Sequence, residues 1–214
     1  MRPIFITGIG TDVGKTVVAA IVTEALQAAY WKPVQAGYSE GTDSEWVAER
    51  LSHPHGRILP ETYRLALPAS PHIAARQEGV KISLDRISAS SRATSPDFLV
   101  IEGAGGLLVP LNEEEFVLDL IKKLDATVLL VSRNYLGSIN HSLLTAAVCK
   151  SHGLKVAGWI FNDQYLHYEA EIVRWSGLPF IASIPHHENP DTEFVRRQAA
   201  KMKNFLLAAL TQQA

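Results

Sequence analysis

The sequence is poor in cysteine, in long apolar runs and in net charge. Cys149 is the single cysteine among 214 residues, so no disulfide can form within the chain, and we expect a reducing, cytoplasmic compartment. No apolar run reaches the ~18 residues that a membrane-spanning helix needs. An apolar strand begins at once, so we expect no signal peptide. The formal net charge of -2 predicts no general attraction to nucleic acid or to anionic membranes.

Apolar runs typical of buried strands alternate with helical patterns along the chain. We expect strands over residues 4–6, 30–35, 98–101, 126–131, 156–161 and 180–184. We expect helices over residues 15–29, 83–93, 117–124, 138–152, 165–175 and 192–210, with a short one opening near Asp43. Several prolines within residues 53–82 would break any long element there. The alternation predicts an α/β fold in one domain of residues 1–214, with a mostly parallel sheet covered by helices on both faces.

Residues 8–16, Gly-Ile-Gly-Thr-Asp-Val-Gly-Lys-Thr, lie between the first strand and the first helix. That order is typical of a phosphate-binding P-loop, in which glycines let backbone N–H groups point at phosphate oxygens beside a helix N-terminus. Lys15 would add a point charge, and the Thr16 hydroxyl could bind Mg²⁺. The common pattern has glycine at the position of Ile9, so the loop is a variant. A chance Gly-Lys-Thr in a plain turn is the alternative, and the strand–loop–helix context argues against it.

Other polar residues follow the predicted strands, at the sheet edge where ligands bind in such folds. Glu102 comes after a buried strand, so it could direct a carboxylate at a metal or could merely cap the turn that follows. Asp43 could serve the same metal or be a helix N-cap. Lys32 could be a solvated lysine or a second cation on a phosphoryl group or an anionic substrate.

Three further sites have simpler alternatives. Asn162 and Asp163 could bind a nucleobase by donating and accepting side by side, or could form an Asx turn. His186 and His187 are adjacent in an extended segment, so their side chains point apart and a loop role is the better interpretation. Cys149 lies on the apolar side of its helix and is predicted to be a core residue.

Several motifs, taken together, resemble the dethiobiotin synthetase family. They are the loop of residues 8–16, Lys-Pro-Val-Gln-Ala-Gly at 32–37, Ser-Pro-His-Ile-Ala-Ala at 70–75, Val-Ile-Glu-Gly-Ala-Gly-Gly at 100–106, Gly-Ser-Ile-Asn-His at 137–141 and Gly-Trp-Ile-Phe-Asn-Asp at 158–163. They occur in the family's order and cover nearly the whole chain.

The resemblance implies a single-domain P-loop NTPase-like fold and a ligase activity in biotin biosynthesis. The implied reaction is ATP- and Mg²⁺-dependent closure of a ureido ring on 7,8-diaminononanoate with CO₂ or bicarbonate. It passes through a carbamate and a carbamic-phosphoric anhydride. The implied partners are these substrates, ATP and a second copy of the chain, with the substrate site at the dimer interface. Neither nucleic acid nor membrane is implied.

The resemblance also assigns residues. Lys15 and Lys32 are implied to be catalytic. The implied nucleotide-binding residues are Asp12, Val13, Gly14, Lys15, Thr16, Val17, Asp43, Glu102, Gly103, Ala104, Gly105, Asn162, Asp163, Pro185, His186 and His187. The implied substrate-binding residues are Thr11, Lys32, Ala36, Gly137, Ile139 and Asn140. The implied metal ligands are Thr16, Asp43 and Glu102.

Two departures from the family stand out. Family members often carry Ser or Thr where this chain has Ala36, so one hydrogen bond of about 0.5–1.5 kcal/mol would be missing. The segment from Lys15 to Lys32 is also shorter than the family pattern and lacks a glycine turn after the helix.

Two other classes share this type of loop. Cobyrinate-type amidotransferases carry a further domain with a nucleophilic cysteine, for which this chain is too short and Cys149 is in the wrong setting. Partitioning or cell-division ATPases, which switch between monomer and dimer, carry an extra lysine near the loop start. Here residues 8–11 are Gly-Ile-Gly-Thr.

Overall fold

Seven parallel strands form the central sheet in a computed structural model that describes residues 2–91, 97–163 and 165–211. The strands of this sheet and of a separate two-stranded sheet, β3 with β5, are β1 Arg2–Gly8, β2 Ala29–Trp31, β3 Val34–Ala36, β4 Ile58–Leu59, β5 Tyr63–Leu65, β6 Phe98–Glu102, β7 Thr127–Arg133, β8 Val156–Asn162 and β9 Phe180–Ile184. The helices are α1 Lys15–Leu26, α2 Asp43–Arg50, α3 Pro71–Gln77, α4 Leu84–Ser90, α5 Val117–Lys123, α6 Ser138–Ser151, α7 Glu169–Ser176 and α8 Thr192–Thr211. Within these ranges, no helix combines the length and the apolar character required to span a bilayer.

The central sheet has the strand order β4-β2-β6-β1-β7-β8-β9. Strand β1 pairs in parallel with β6 on one side and with β7 on the other. Ile4 and Ile6 on β1 face one apolar cluster, whereas Phe5 faces the other, so the strand is buried on both faces. Helices α1 and α8 cover the first face and α5, α6 and α7 the second. The predicted fold class is confirmed.

The predicted strand over residues 30–35 is wrong, because the chain breaks at Lys32 and Pro33. Strand β2 ends at Trp31 within the central sheet, and β3 pairs with β5 in a separate two-stranded sheet. Pro33 has no N–H to donate to a sheet ladder, which favours a break at this point. The break leaves Lys32 at the carboxyl edge of the central sheet.

Other boundaries also differ from the predictions. Helix α1 ends at Leu26 rather than near residue 29, since Gln27 turns into the left-handed region with a φ of 50° and β2 follows. Residues 53–82 are more regular than expected. Pro71 occupies the first turn of α3, where a missing N–H costs nothing, and so begins a helix.

Two of the predicted helices are shorter than expected. The helix predicted from residue 165 begins at Glu169, after a 3₁₀ turn over Tyr165–His167. Helix α4 ends at Ser90, and residues 92–93 of its predicted span lie outside the described residues. Cys149 lies in the core, and burial raises the pKa of its thiol to about 12.

Candidate phosphate and metal site

A cavity of about 850 Å³ opens beyond the carboxyl ends of β1, β2 and β6. Its wall combines the glycine loop with residues from four other parts of the chain. The residues that line it include Thr11, Asp12, Gly14, Lys15, Thr16, Val17, Lys32, Ala36, Asp43, Ser70, Glu102, Ala104 and Gly105. The parallel sheet therefore brings most of the predicted loop, metal and lysine residues to one place.

The glycine loop leaves the sheet later than in the common pattern. The backbone N–H of Ile9 donates to Val131 O at 3.0 Å, so Ile9 still follows strand β1 and needs no glycine. Gly14 does need to be glycine, because its φ is 86° and a Cβ there would lie 1.9 Å from Asn162 Nδ2. Asn162 Nδ2 donates to Val13 O at 3.2 Å, which ties the loop to the end of β8.

Lys15 bends back onto its own loop. Its Nζ donates to Gly10 O at 2.7 Å, and the residue is only 7% exposed. Burial lowers the pKa of Lys15 to about 8, despite the opposing charge of Glu102. Within the described part of the chain the neighbouring carboxylates pair with Lys32 and not with Lys15, so a phosphate group would give this ammonium group a charged partner.

Thr16, Asp43 and Glu102 meet although they lie far apart in the sequence. Thr16 Oγ1 lies 2.8 Å from Glu102 Oε1 and 3.1 Å from Asp43 Oδ1. The described residues contain no group of three His, Cys, Asp or Glu side chains that could hold a metal. The side chains that meet here offer two carboxylates and the Thr16 hydroxyl. Two carboxylates and a hydroxyl are hard oxygen donors that suit Mg²⁺ when water and phosphate complete the octahedron. The donor set therefore fits this metal.

Asp43 does not cap its helix. Thr42 is the N-cap of α2, where its side chain accepts from Glu45 N while Glu45 accepts from Thr42 N. This capping box leaves the Asp43 carboxylate to face the loop. The Thr-x-x-Glu spacing at residues 42–45 is the sequence signal that would have excluded the N-cap alternative.

Lys32 is buried between the two carboxylates. Its Nζ lies 2.5 Å from Asp43 Oδ2 and 3.0 Å from Glu102 Oε1, and the residue is 6% exposed. Burial alone would lower the pKa of Lys32, but the charges of Glu102 and Asp43 outweigh it and raise the pKa above its ordinary 10.5. The ammonium group is thus held charged, and the alternative of a solvated lysine is wrong.

Tyr30 is the site residue that the sequence reasoning missed. Its side chain is fully buried, and its Oη donates to Glu102 Oε2 at 2.8 Å. Burial, followed by the charge of Glu102, raises the pKa of Tyr30 well above its ordinary 10.0, so the phenol keeps its proton. A hydroxyl inside an apolar strand was the available signal, since buried tyrosines usually bond a partner.

The glycine turn after β6 packs closely beneath the loop. Gly103 N donates to Ile6 O at 2.9 Å, and a Cβ on Gly103 would lie 2.7 Å from the Phe5 ring. Gly105 has a φ of 67°. The turn therefore requires small residues where it approaches the P-loop.

A second cavity of about 760 Å³ lies on the other side of the loop. It is lined by Thr11, Asp12, Val13, Arg133, Asn134, Tyr135 and Asp163. Asp163 accepts from Asn134 Nδ2 through its backbone carbonyl at 3.3 Å, and its carboxylate lies 3.6 Å from Arg133 Nε. Of the two candidate base-binding residues on β8 and just after it, Asp163 lines this cavity and Asn162 is its neighbour in the sequence.

Two predicted groups lie away from both cavities. Pro185, His186 and His187 follow β9, and His187 packs against the Phe194 ring with centroids 4.6 Å apart. Gly137, Ile139 and Asn140 lie at the start of α6. None of these six residues lines either cavity.

Together these features define a P-loop nucleotide-binding protein with a parallel α/β sheet. A family described as an AAA domain matches residues 2–193. An ATP-dependent dethiobiotin synthetase BioD of Cytophaga hutchinsonii is 47% identical over 203 residues, covering 94% of this chain and 97% of the relative. A relative of the same name from Christiangramia forsetii is 45% identical, covering 94% and 96%. This chain belongs to the dethiobiotin synthetase family.

Solved structures of lower identity share the fold. A ParA family ATPase from Chlorobium tepidum has a TM-score of 0.58 at 16% identity, covering 99% of this chain and 94% of that one. The septum site-determining protein MinD of Pyrococcus horikoshii, complexed with Mg-ADP, has a TM-score of 0.59 at 18% identity, covering 99% and 95%. At these identities the likeness shows the fold alone.

Proposed function

We propose that this chain catalyses the ATP- and Mg²⁺-dependent closure of the ureido ring of dethiobiotin from 7,8-diaminononanoate and CO₂. The observation that carries the proposal is the convergence of Lys32, Thr16, Asp43 and Glu102 beside the P-loop, in a chain whose named relatives are ATP-dependent dethiobiotin synthetases. We further propose that residues 1–214 form one catalytic domain.

The reaction balances in three steps. One amine of the diamine attacks CO₂ and loses a proton, which gives a carbamate. A carbamate oxygen attacks the γ-phosphorus of ATP, and ADP leaves. The second amine then attacks the carbonyl carbon of the mixed anhydride, loses a proton and expels phosphate as the ring closes.

The loop binds and orients the phosphates in this proposal. Backbone N–H groups of residues 12–17 would contact phosphate oxygens at the N-terminus of α1, and Lys15 would leave Gly10 O to contact the outer phosphates. The turn of Gly103, Ala104 and Gly105 would flank them. Such a site works mainly by positioning and charge, with little acid–base chemistry.

Thr16, Asp43 and Glu102 would hold Mg²⁺. When bound, the metal supplies neutralising charge to the phosphate oxygens. Lys32 would contact the carbamate and the transferring phosphoryl group, and Thr11 would contact the carbamate. Ala36 would form part of the substrate wall, because it lines the same cavity as Lys32.

The base would lie at the second cavity, against Asp163 and its neighbour Asn162. Pro185, His186 and His187 do not line this cavity in the present structure, and they would contact the base only from outside it. Asp163 lines that cavity. Asn162 lies at the end of β8 and bonds Val13 O, which would couple base contact to the loop.

A second copy of the chain would complete the substrate site. Gly137, Ile139 and Asn140 lie outside the cavity, so we propose that they reach the substrate tail of a partner. Leu136, just before α6, is 85% exposed, and Leu144 on α6 is 58% exposed. Apolar side chains this exposed at one end of the sheet suit a homodimer interface. Sedimentation equilibrium should give a dimer, and Leu144→Lys should weaken it.

The decisive assay supplies ATP, Mg²⁺, bicarbonate and the diamine. We expect ADP and a cyclic urea in equal amounts, and loss of both when any one component is omitted. Lys15→Ala and Glu102→Ala should lower turnover by orders of magnitude while circular dichroism stays that of the wild type. ATP turnover that needs DNA or lipid and never the diamine would instead support the partitioning or cell-division ATPase class.

A further inference from the structure

The ammonium group of Lys32 occupies the position in which a cation would bind between Asp43 and Glu102. It lies 2.5 Å from one carboxylate and 3.0 Å from the other. The oxygen of Glu102 that it contacts, Oε1, also accepts from Thr16. All three oxygen-bearing side chains of the proposed metal site are therefore already bonded to Lys32 or to one another.

Glu102 needs a cation even when no metal is bound. Glu102 is 1% exposed, and a buried carboxylate without a positive partner is strongly destabilising. Lys15 does not supply that partner, because its Nζ donates to Gly10 O. Within the described residues, Lys32 is the only cation that forms an ion pair with Glu102.

A divalent cation and this ammonium group cannot share the two carboxylates. Both are positive, and their repulsion at a separation of a few ångströms in a buried site is large. On Glu102 the same oxygen, Oε1, faces both Lys32 and Thr16, so a metal held by Thr16 and Glu102 would compete with Lys32 for that atom. Lys32 can move without its backbone, since four methylene groups join its Nζ to the Cα. Its side chain opens onto the same cavity as Thr11, Ala36 and Ser70.

We propose that the ammonium group of Lys32 occupies the metal position when no metal is bound. A metal must displace this group to bind, and metal binding therefore releases the lysine toward the anionic substrate. The inference rests on the proposed function. It makes Lys32 responsible for keeping the metal affinity low until the phosphates of the nucleotide add their own ligands. It also explains why the lysine lies buried at a break between two strands instead of being solvated.

The test is Mn²⁺ binding to nucleotide-free protein, measured by the electron paramagnetic resonance signal of free Mn²⁺. Lys32→Met should bind Mn²⁺ at least about tenfold more tightly than the wild type, because among the described residues Lys32 alone forms ion pairs with these two carboxylates. Lys15→Met is the matched control, since it removes a nearby charge that is not paired with the carboxylates. It should change the affinity far less. The double variant Lys32→Met with Glu102→Gln should lose the gain.

Equal or weaker binding by Lys32→Met would overturn the inference and leave the proposed function standing. Failure of every variant to bind Mn²⁺, with or without ADP, would overturn both. If Lys32→Met folds only when Mn²⁺ is present, that result supports the inference. If Lys32→Met does not fold at all, a structure of the wild type with Mg²⁺ and ADP tests whether the metal displaces Lys32. Lys32 Nζ should lie beyond hydrogen-bond distance of Asp43, and an unchanged ion pair would overturn the proposal.

Discussion

The phenol of Tyr30 donates to Glu102 Oε2 at 2.8 Å, whereas Thr16 and Lys32 contact the other oxygen, Oε1. The two oxygens of this carboxylate therefore have separate partners. Tyr30 lies on β2 and Glu102 at the end of β6, and these strands are neighbours in the sheet. The pairing fixes the rotation of the carboxylate and leaves Oε1 toward the loop.

Tyr30→Phe should weaken metal binding by about tenfold or more, which is typical when a partner that orients a metal ligand is lost. The variant should also lose about 1–3 kcal/mol of unfolding free energy, because a buried carboxylate oxygen is left without a donor. Mn²⁺ titration in the presence of ADP and urea denaturation measure the two effects.

Tyr63→Phe is the matched control for this substitution. Tyr63 is also buried, and its hydroxyl accepts from Ser83 N at 2.9 Å, away from the loop. It should lose stability without losing metal affinity. An unchanged Mn²⁺ affinity in Tyr30→Phe would contradict the positioning role.

Lys15→Met should raise the stability of the nucleotide-free protein at neutral pH. Burial lowers the pKa of Lys15 from 10.5 to about 8, so below about pH 8 the folded protein retains a buried charge at a cost. The lowered pKa sets an upper limit of about 3 kcal/mol, and the lost bond to Gly10 O reduces the gain toward about 1 kcal/mol.

The gain should shrink as the pH rises from about 8 to about 10.5, because over that range the unfolded wild type binds more protons than the folded one. Urea unfolding of both proteins at about pH 7 and about pH 9.5 checks this prediction. A variant that is less stable at neutral pH, or a gain in stability that does not change with pH, would show that burying the charged Lys15 does not destabilise the folded protein.

Gly14→Ala should destabilise the protein by about 1–3 kcal/mol, through its positive φ and the clash with the Asn162 amide. Adding Asn162→Ala should recover about 1 kcal/mol or more of the loss in a double-mutant cycle, since it removes the clash and leaves the backbone strain. Gly10→Ala is the control, because a Cβ there would have nothing within 4 Å. It should stay within about 0.5 kcal/mol of the wild type. Strict additivity of the two substitutions would disprove the contact.

Ala36→Ser should restore the hydrogen bond that the family pattern implies at this position. We expect the KM for the diamine to fall by about twofold to tenfold with little change in kcat, because the added contact binds substrate and transition state alike. Ala66→Ser, on an exposed residue outside the cavity, should leave the KM unchanged. An unaltered KM in Ala36→Ser would place the substrate elsewhere.

Local patterns in the sequence predicted the fold class, the loop and most of the central strands. They did so because a strand buried on both faces and a glycine loop before a helix both leave signals within a few residues. The break at Pro33 and the helix that begins at Pro71 were not predicted. A proline can either end one element or begin the next, and the local pattern does not show which of the two it does.

Contacts between distant residues could not be predicted in this way. Tyr30 and Glu102 are 72 positions apart, and Lys32 and Glu102 are 70 positions apart. Nothing near either residue in the sequence indicates its partner, and only the pairing of β2 with β6 brings them together. The burial of Lys32, and hence its contact with both carboxylates, follows from that pairing.

The most direct test of the account is a crystal structure with Mg²⁺, the diamine and an ATP analogue that cannot be hydrolysed. We predict that the triphosphate contacts the N–H groups of residues 12–17 and that the metal contacts Thr16, Asp43 and Glu102. The diamine should lie in the same cavity, between Lys32 and Ala36. A nucleotide bound away from the loop, or a Glu102 carboxylate turned away from the metal, would contradict the account.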